Sequence, residues 1–61
     1  MKGRELVKLL ESEGWVLDRT CGSHRIMIKE GKRSIPVPVH GNKDIPVGLV
    51  NKILKEAGIK K

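Results

Sequence analysis

The sequence predicts an α+β domain: a helix, a meander of three short antiparallel strands, and a second helix, with both helices on one face of the sheet. Three observations lead there. Apolar residues recur at helical spacing near each end of the chain. Between them, three short runs alternate apolar and polar residues with period two. Glycine-bearing turns separate those runs at hairpin distance.

The first helix rests on Leu6, Leu9, Leu10 and Glu13, which follow the i, i+3, i+4, i+7 rhythm, with Lys8 and Glu11 facing away. Gly14 is its stop, since glycine takes the left-handed conformation there without penalty. Strands are expected over 15–19, 24–29 and 34–39. Their apolar sets are Trp15 and Leu17, then Ile26 and Ile28, then Ile35, Val37 and Val39. The opposite face carries Val16, Asp18, Arg25, Met27, Lys29 and Ser34. Pro36 and Pro38 each remove a ladder donor. Being two apart, they lose their N–H groups on the same lateral side, so the strand still pairs through its other side. The third strand is therefore an edge, with the prolines blocking stray pairing. The last helix starts with Pro46 at its first position, with Asp44 near the positive end of its dipole. Val47, Val50, Leu54 and Ala57 form its apolar stripe, widened by Leu49 and Ile53, and Gly58 ends it.

With 61 residues, the chain is read as one domain, 1–61. A domain this small buries only ~60% of its unfolded surface. Cys21 is the only cysteine, so no disulfide assists, and a reducing cytoplasm is the expected compartment. No apolar run approaches the ~20 residues needed to span a bilayer, and no secretory leader is expected. No membrane partner is therefore expected.

Lys and Arg number 13 against 7 Asp and Glu, a net charge of +6. Residues 1–17 balance, with Lys2, Arg4 and Lys8 against Glu5, Glu11 and Glu13. The whole excess lies beyond them. A one-sided basic surface suits nucleic acid or an acidic protein, although small lysine-rich domains are often basic without such a partner.

Matching core to core sets the register, because paired residues share a face. Ile28 is placed against Ile35 and Ile26 against Val37. Trp15 then faces Ile28, Leu17 faces Ile26 and Arg19 faces His24. In this register Arg19, Gly22, Ser23, His24, His40 and Lys43 gather at one rim of the sheet.

His24 is the candidate general acid/base, since imidazole ordinarily changes charge near neutral pH. The alternative is a rim histidine that only packs or hydrogen-bonds. Gly22 lets backbone approach a phosphate and Ser23 can donate to it. Arg19 and Arg25 are phosphate partners by charge and bidentate geometry, or simply solvated surface charges. His40 is a second acid/base candidate, or the residue that fixes the loop before the last helix. The spacing of Cys21, His24 and His40 matches no zinc pattern, and no metal is expected. Cys21 lacks a clear base partner and is a weak nucleophile candidate. Trp15 belongs to the core, and without Phe or Tyr no stacking platform for successive bases is expected.

Gly14-Trp15, Arg19, Gly22-Ser23-His24, Val37-Pro38-Val39-His40 and the closing Ile53-Leu54-Lys55-Glu56-Ala57-Gly58 together resemble the HicA (YcfA-type) toxins. The resemblance extends from about Lys2 to Gly58, and it is the ordered set, not the Gly-Ser-His triplet, that is specific. It implies a double-stranded-RNA-binding-domain-like fold of order α-β-β-β-α. It implies an endoribonuclease that cleaves mRNA without metal or cofactor, and a HicB-type antitoxin as partner. The free toxin is expected to be monomeric. His24 stands at the family's catalytic histidine, Gly22 and Ser23 at the flanking motif, and His40 at a histidine common at the end of the third strand. Pro46-Val47-Gly48 departs from the more usual Pro-Gly-Thr-Leu pattern, which touches only the first turn of the last helix. In such a mechanism His24 acts as base or acid, Arg19 and Lys43 offset phosphate charge, and His40, Lys43 or water completes the proton transfers. The competing reading is a noncatalytic RNA-binding module, which would bind in a salt-dependent way without cleaving.

Overall fold

The computed structural model describes residues 1–59. Its elements run α1 (Gly3–Ser12), β1 (Val16–Cys21), β2 (His24–Ile28), β3 (Ile35–Pro38) and α2 (Val47–Glu56). The three strands form one antiparallel sheet in the order β1-β2-β3. This is the expected α+β, double-stranded-RNA-binding-domain-like arrangement.

Both helices end as their glycines predict. Gly14 and Gly58 take positive φ. At α1, the Gly14 and Trp15 N–H groups donate to the Glu11 and Leu10 carbonyls. At α2, Gly58 and Ile59 donate to Lys55 and Leu54 in the same way. Each is a Schellman motif, which satisfies carbonyls that a helix end leaves open. It also turns the next residue inward: Trp15 is buried, and Ile59 packs on the core. Helix α1 opens with the Glu5 carboxylate accepting the Lys2 N–H at 2.8 Å, half of a capping box.

The core comprises Leu6, Val7 and Leu10 of α1, Trp15, Met27 of β2, Ile35 and Val37 of β3, Ile45, and Val50, Ile53, Leu54 and Ala57 of α2. The Trp15 indole N–H is buried without a hydrogen-bond partner among the described residues, a cost of about 1–3 kcal/mol offset by the ring's apolar burial.

The observed register differs from the expected one by one residue between β2 and β3 and at the start of β1, and by two from Arg19 onward, and the central strand is flipped. Met27 pairs with Ile35 and Arg25 with Val37. Across β1, Val16 pairs with Ile28, Leu17 with Met27, Arg19 with Ile26, Thr20 with Arg25 and Cys21 with His24. Met27 is fully buried, while Ile28 is 39% exposed and Val16 59%. Two alternating sets competed for the core in β2, and the β-branched pair Ile26/Ile28 was the more strand-like. The site under α1 instead takes methionine, whose unbranched chain fills an irregular gap. A bulge between Leu17 and Arg19 then shifts the rest of β1, because an extra residue on one strand resets its pairing. Leu17 stays 37% exposed on the edge strand.

Strand β3 is an edge, as the prolines require. Ile35 and Val37 alternate with them opposite Met27 and Arg25, and the Val39 N–H continues the ladder to the Ser23 carbonyl at 2.7 Å. In α2, Pro46 is the cap residue, one position earlier than expected. Val47 is 74% exposed and Leu49 37%, so neither belongs to the buried stripe.

Candidate functional site

The β1–β2 hairpin closes with the pair Cys21–His24, leaving Gly22-Ser23 as a two-residue turn. Gly22 has φ +61° and no non-glycine residue has positive φ. That combination is the II′ hairpin turn, which needs glycine first. Gly22 is thus explained by the turn itself, and a Cβ there would meet open space.

The turn delivers His24 onto the outer face of the sheet, away from the helices, at an exposed position. Its partner across β3 is Pro38. Two residues further on, His40 reaches the same rim. The two imidazole rings lie edge to face, 6.5 Å between centroids and 77° between planes. The expected meeting of the histidines therefore holds even though the register behind it does not.

Arg19 is the correction. It pairs with Ile26, and Cys21 takes the place opposite His24. The register slip accounts for one step along β2, to Arg25, and the Asp18 bulge for a second, to Ile26. Arg19 keeps the outer face with His24 as a diagonal neighbour, close enough for a long side chain. Its guanidinium is well exposed and pairs with Asp18 at 3.5 Å. Arg25 lies on the helix-facing side and donates to the Thr20 hydroxyl at 3.4 Å. Ser23 is half-buried, its carbonyl held by Val39. Lys43 is exposed in the loop after β3, its N–H donating to the His40 carbonyl at 3.0 Å. So His24, His40, Gly22, Ser23, Lys43 and Arg19 share one end or face of the sheet, while Arg25 faces the other way. Among the described residues no three His, Cys, Asp or Glu side chains gather as a metal-binding set.

Sequence patterning missed the contacts that hold the His40 loop. Lys2 pairs with Asp44 in an isolated antiparallel bridge, and the Ile45 N–H donates to the Met1 carbonyl at 2.8 Å. Lys2 Nζ donates to the Asn42 carbonyl at 2.8 Å and lies 3.7 Å from the Asp44 carboxylate. Arg4 Nη2 donates to Asn42 Oδ1 at 2.7 Å. Asp44 is thus engaged by the N-terminal residues as well as lying near α2. Lys2 and Arg4, in the charge-balanced part of the chain, bring positive charge to the same loop. The Gly41-Asn42 turn was the one visible hint; no periodicity links residues 40 positions apart.

A family model described as the HicA toxin of bacterial toxin-antitoxin matches residues 3–59. The chain belongs to the HicA toxin family. The match covers every element of the fold, from the first residue of α1 to the Schellman residue after α2. As a HicA toxin the chain is the toxic component of a toxin–antitoxin system, and a cognate antitoxin is its partner. Among the described residues of this HicA chain, no helix is long and apolar enough to cross a membrane.

Proposed function

We propose that this HicA toxin is a metal-independent endoribonuclease that cleaves mRNA, with His24 as general acid/base, and that a HicB-type antitoxin restrains it. The observation that carries the reading is the edge-to-face approach of His24 and His40 on an exposed rim, 6.5 Å between ring centroids. General acid–base catalysis needs groups within about 2.6–3.2 Å of the protons they move. Two rings at this spacing can address different oxygens of one phosphate between them.

One imidazole removes the 2′-OH proton as the 2′-oxygen attacks phosphorus. The bond from phosphorus to the 5′-oxygen breaks, and the other imidazole protonates that oxygen. Atoms balance with a 2′,3′-cyclic phosphate on one fragment and a 5′-hydroxyl on the other. Arg19, on the face of His24, and Lys43, beside His40, offset the charge of the crowded phosphate. The Gly22-Ser23 turn leaves room for the RNA backbone to pass close to the sheet end. Arg25, on the opposite face, binds a flanking phosphate.

The test is cleavage of RNA by wild type, His24→Ala and His40→Ala without added metal, with product ends identified. Positioned acid–base catalysis is worth roughly 10²–10⁴-fold, so His24→Ala should lose that much activity while keeping fold and RNA affinity. Retained cleavage by folded His24→Ala, or 5′-phosphate products, would overturn the proposal. Binding without cleavage by the wild type would make the protein an RNA-binding module instead.

A further inference from the structure

We propose that Arg4 and Asn42 form a positioning pair that sets His40 against His24. The inference rests on the reading of those two histidines as a proton-transfer pair. It assigns a role to residues that neither touch RNA in that reading nor belong to the Gly-Ser-His motif.

His40 stands between two anchorages. On its N-terminal side, Pro38 and Val39 lie directly against Gly3, where a Cβ would collide with the Pro38 carbonyl and come within 2.9 Å of Val39 Cα. On its C-terminal side, Asn42 is held twice: its carbonyl by Lys2 and its side-chain oxygen by Arg4. Asp44 and Ile45 are held next, by Lys2 and by the Met1 carbonyl. Only His40 and Gly41 lie between the two anchorages. Gly41 has φ +58°, a conformation that lets the loop reverse there. The His40 carbonyl is itself tied to the Lys43 N–H. The imidazole is exposed, so burial does not fix it; the fixing is done by backbone held at both sides.

Of these contacts, the Arg4–Asn42 bond is the side-chain pair that spans α1 and the loop and can be removed without touching the backbone. Arg4 is exposed and could instead serve RNA phosphates directly. Its guanidinium, however, donates to a neutral amide oxygen at 2.7 Å, and the amide offers no charge that would draw it there except as a fixed acceptor. A guanidinium spent on a loop carbonyl-type oxygen acts through that loop. Misplacing a catalytic group by about 1 Å can cost 10²-fold in rate, so a contact outside the chemistry can still control it.

The experiment compares the full chain with Asn42→Ala, Arg4→Met and Asn42→Asp, each checked for an unchanged unfolding transition. Two readouts are taken: the His24 and His40 ring resonances by NMR, including the through-space signal between the rings, and kcat and KM for cleavage of a defined RNA. Asn42→Ala and Arg4→Met should each shift the His40 ring resonances and weaken the ring-to-ring signal. Each should lower kcat about tenfold with KM little changed. Asn42→Asp keeps the acceptor and should retain the ring-to-ring signal and most of kcat; its added negative charge acts on KM and on the His40 shifts without separating the rings. Unmoved His40 resonances in both truncated variants would overturn the proposal. So would a raised KM with unchanged kcat and rings, which would make Arg4 a direct phosphate ligand. If the wild type cleaves no RNA, the ring resonances still decide: displacement upholds the pair and only the ribonuclease reading fails, whereas no displacement overturns the pair itself.

Discussion

Gly3 lies so close to Pro38 that no side chain fits between the first turn of α1 and the end of β3. A Cβ on Gly3 would run into the Pro38 carbonyl and approach Val39 Cα and Cγ2 to 2.9 Å. Two of the three atoms are backbone, so relief requires the helix or the strand end to move. Helix propensity alone favours alanine over glycine by about 0.8–1 kcal/mol, whereas overpacking costs about 1–3 kcal/mol. Gly3→Ala is expected to destabilise by at least about 1 kcal/mol, read from denaturant midpoints. Unchanged or raised stability would contradict the close contact.

The register makes Met27 and Ile28 unequal in a way that hydrophobicity does not. Met27→Ala should cost about 2–5 kcal/mol, as for any buried large-to-small change. Ile28→Thr, on the outer face, should cost less than about 1 kcal/mol. Thermal or chemical unfolding of the two variants gives the comparison. The reverse order would restore the simpler register in which Ile26 and Ile28 fill the core.

Pro36 and Pro38 leave β3 without donors on its free side. Replacing both with threonine should leave the fold intact and open that edge to another chain. Sedimentation of the double variant should therefore show concentration-dependent association beyond that of the wild type. Identical sedimentation of the two would mean that the prolines do not protect the edge.

Arg19, Lys43 and Arg25 differ in where they stand relative to His24. For RNA binding, loss of one phosphate contact lowers the salt-dependence slope by about 0.7 for single-stranded RNA. Arg19→Gln and Lys43→Gln should each do so and also reduce kcat, because both flank the histidine pair. Arg25→Gln should weaken binding with kcat unchanged. Equal kcat losses at all three positions would argue against the facial division.

The element order was legible because each local signal agreed with the global fold. Gly14 and Gly58 ended helices, Gly22 made a hairpin, and the spacing of Pro36 and Pro38 placed an edge. The register was not legible. In β2 two alternating sets, Ile26/Ile28 and Arg25/Met27, fit a strand equally well, and only packing under α1 selects between them. The bulge at Asp18 has no local signature at all. His24 and His40 were nevertheless placed correctly at one rim, because a one-residue slip changes facing partners but not the end of the sheet at which a residue lies. Arg19 was placed opposite His24 because the pattern shows neither the slip nor the bulge, which together move it to Ile26. The contacts of Lys2, Arg4 and Asn42 join opposite parts of the chain through side-chain geometry, which no pattern of apolar residues records.

The N-terminal clasp has a consequence for the order in which the rim assembles. Lys2 and Arg4 lie 40 and 38 positions from Asn42. Until residues 42–45 fold back onto Lys2 and Arg4, His40 is held only from its Val39 side and the rim is incomplete. Contacts this distant in sequence close late relative to local hairpins. The Gly-Ser-His turn is thus a local hairpin that forms early, whereas the place of His40 beside it is set only when the distant clasp closes.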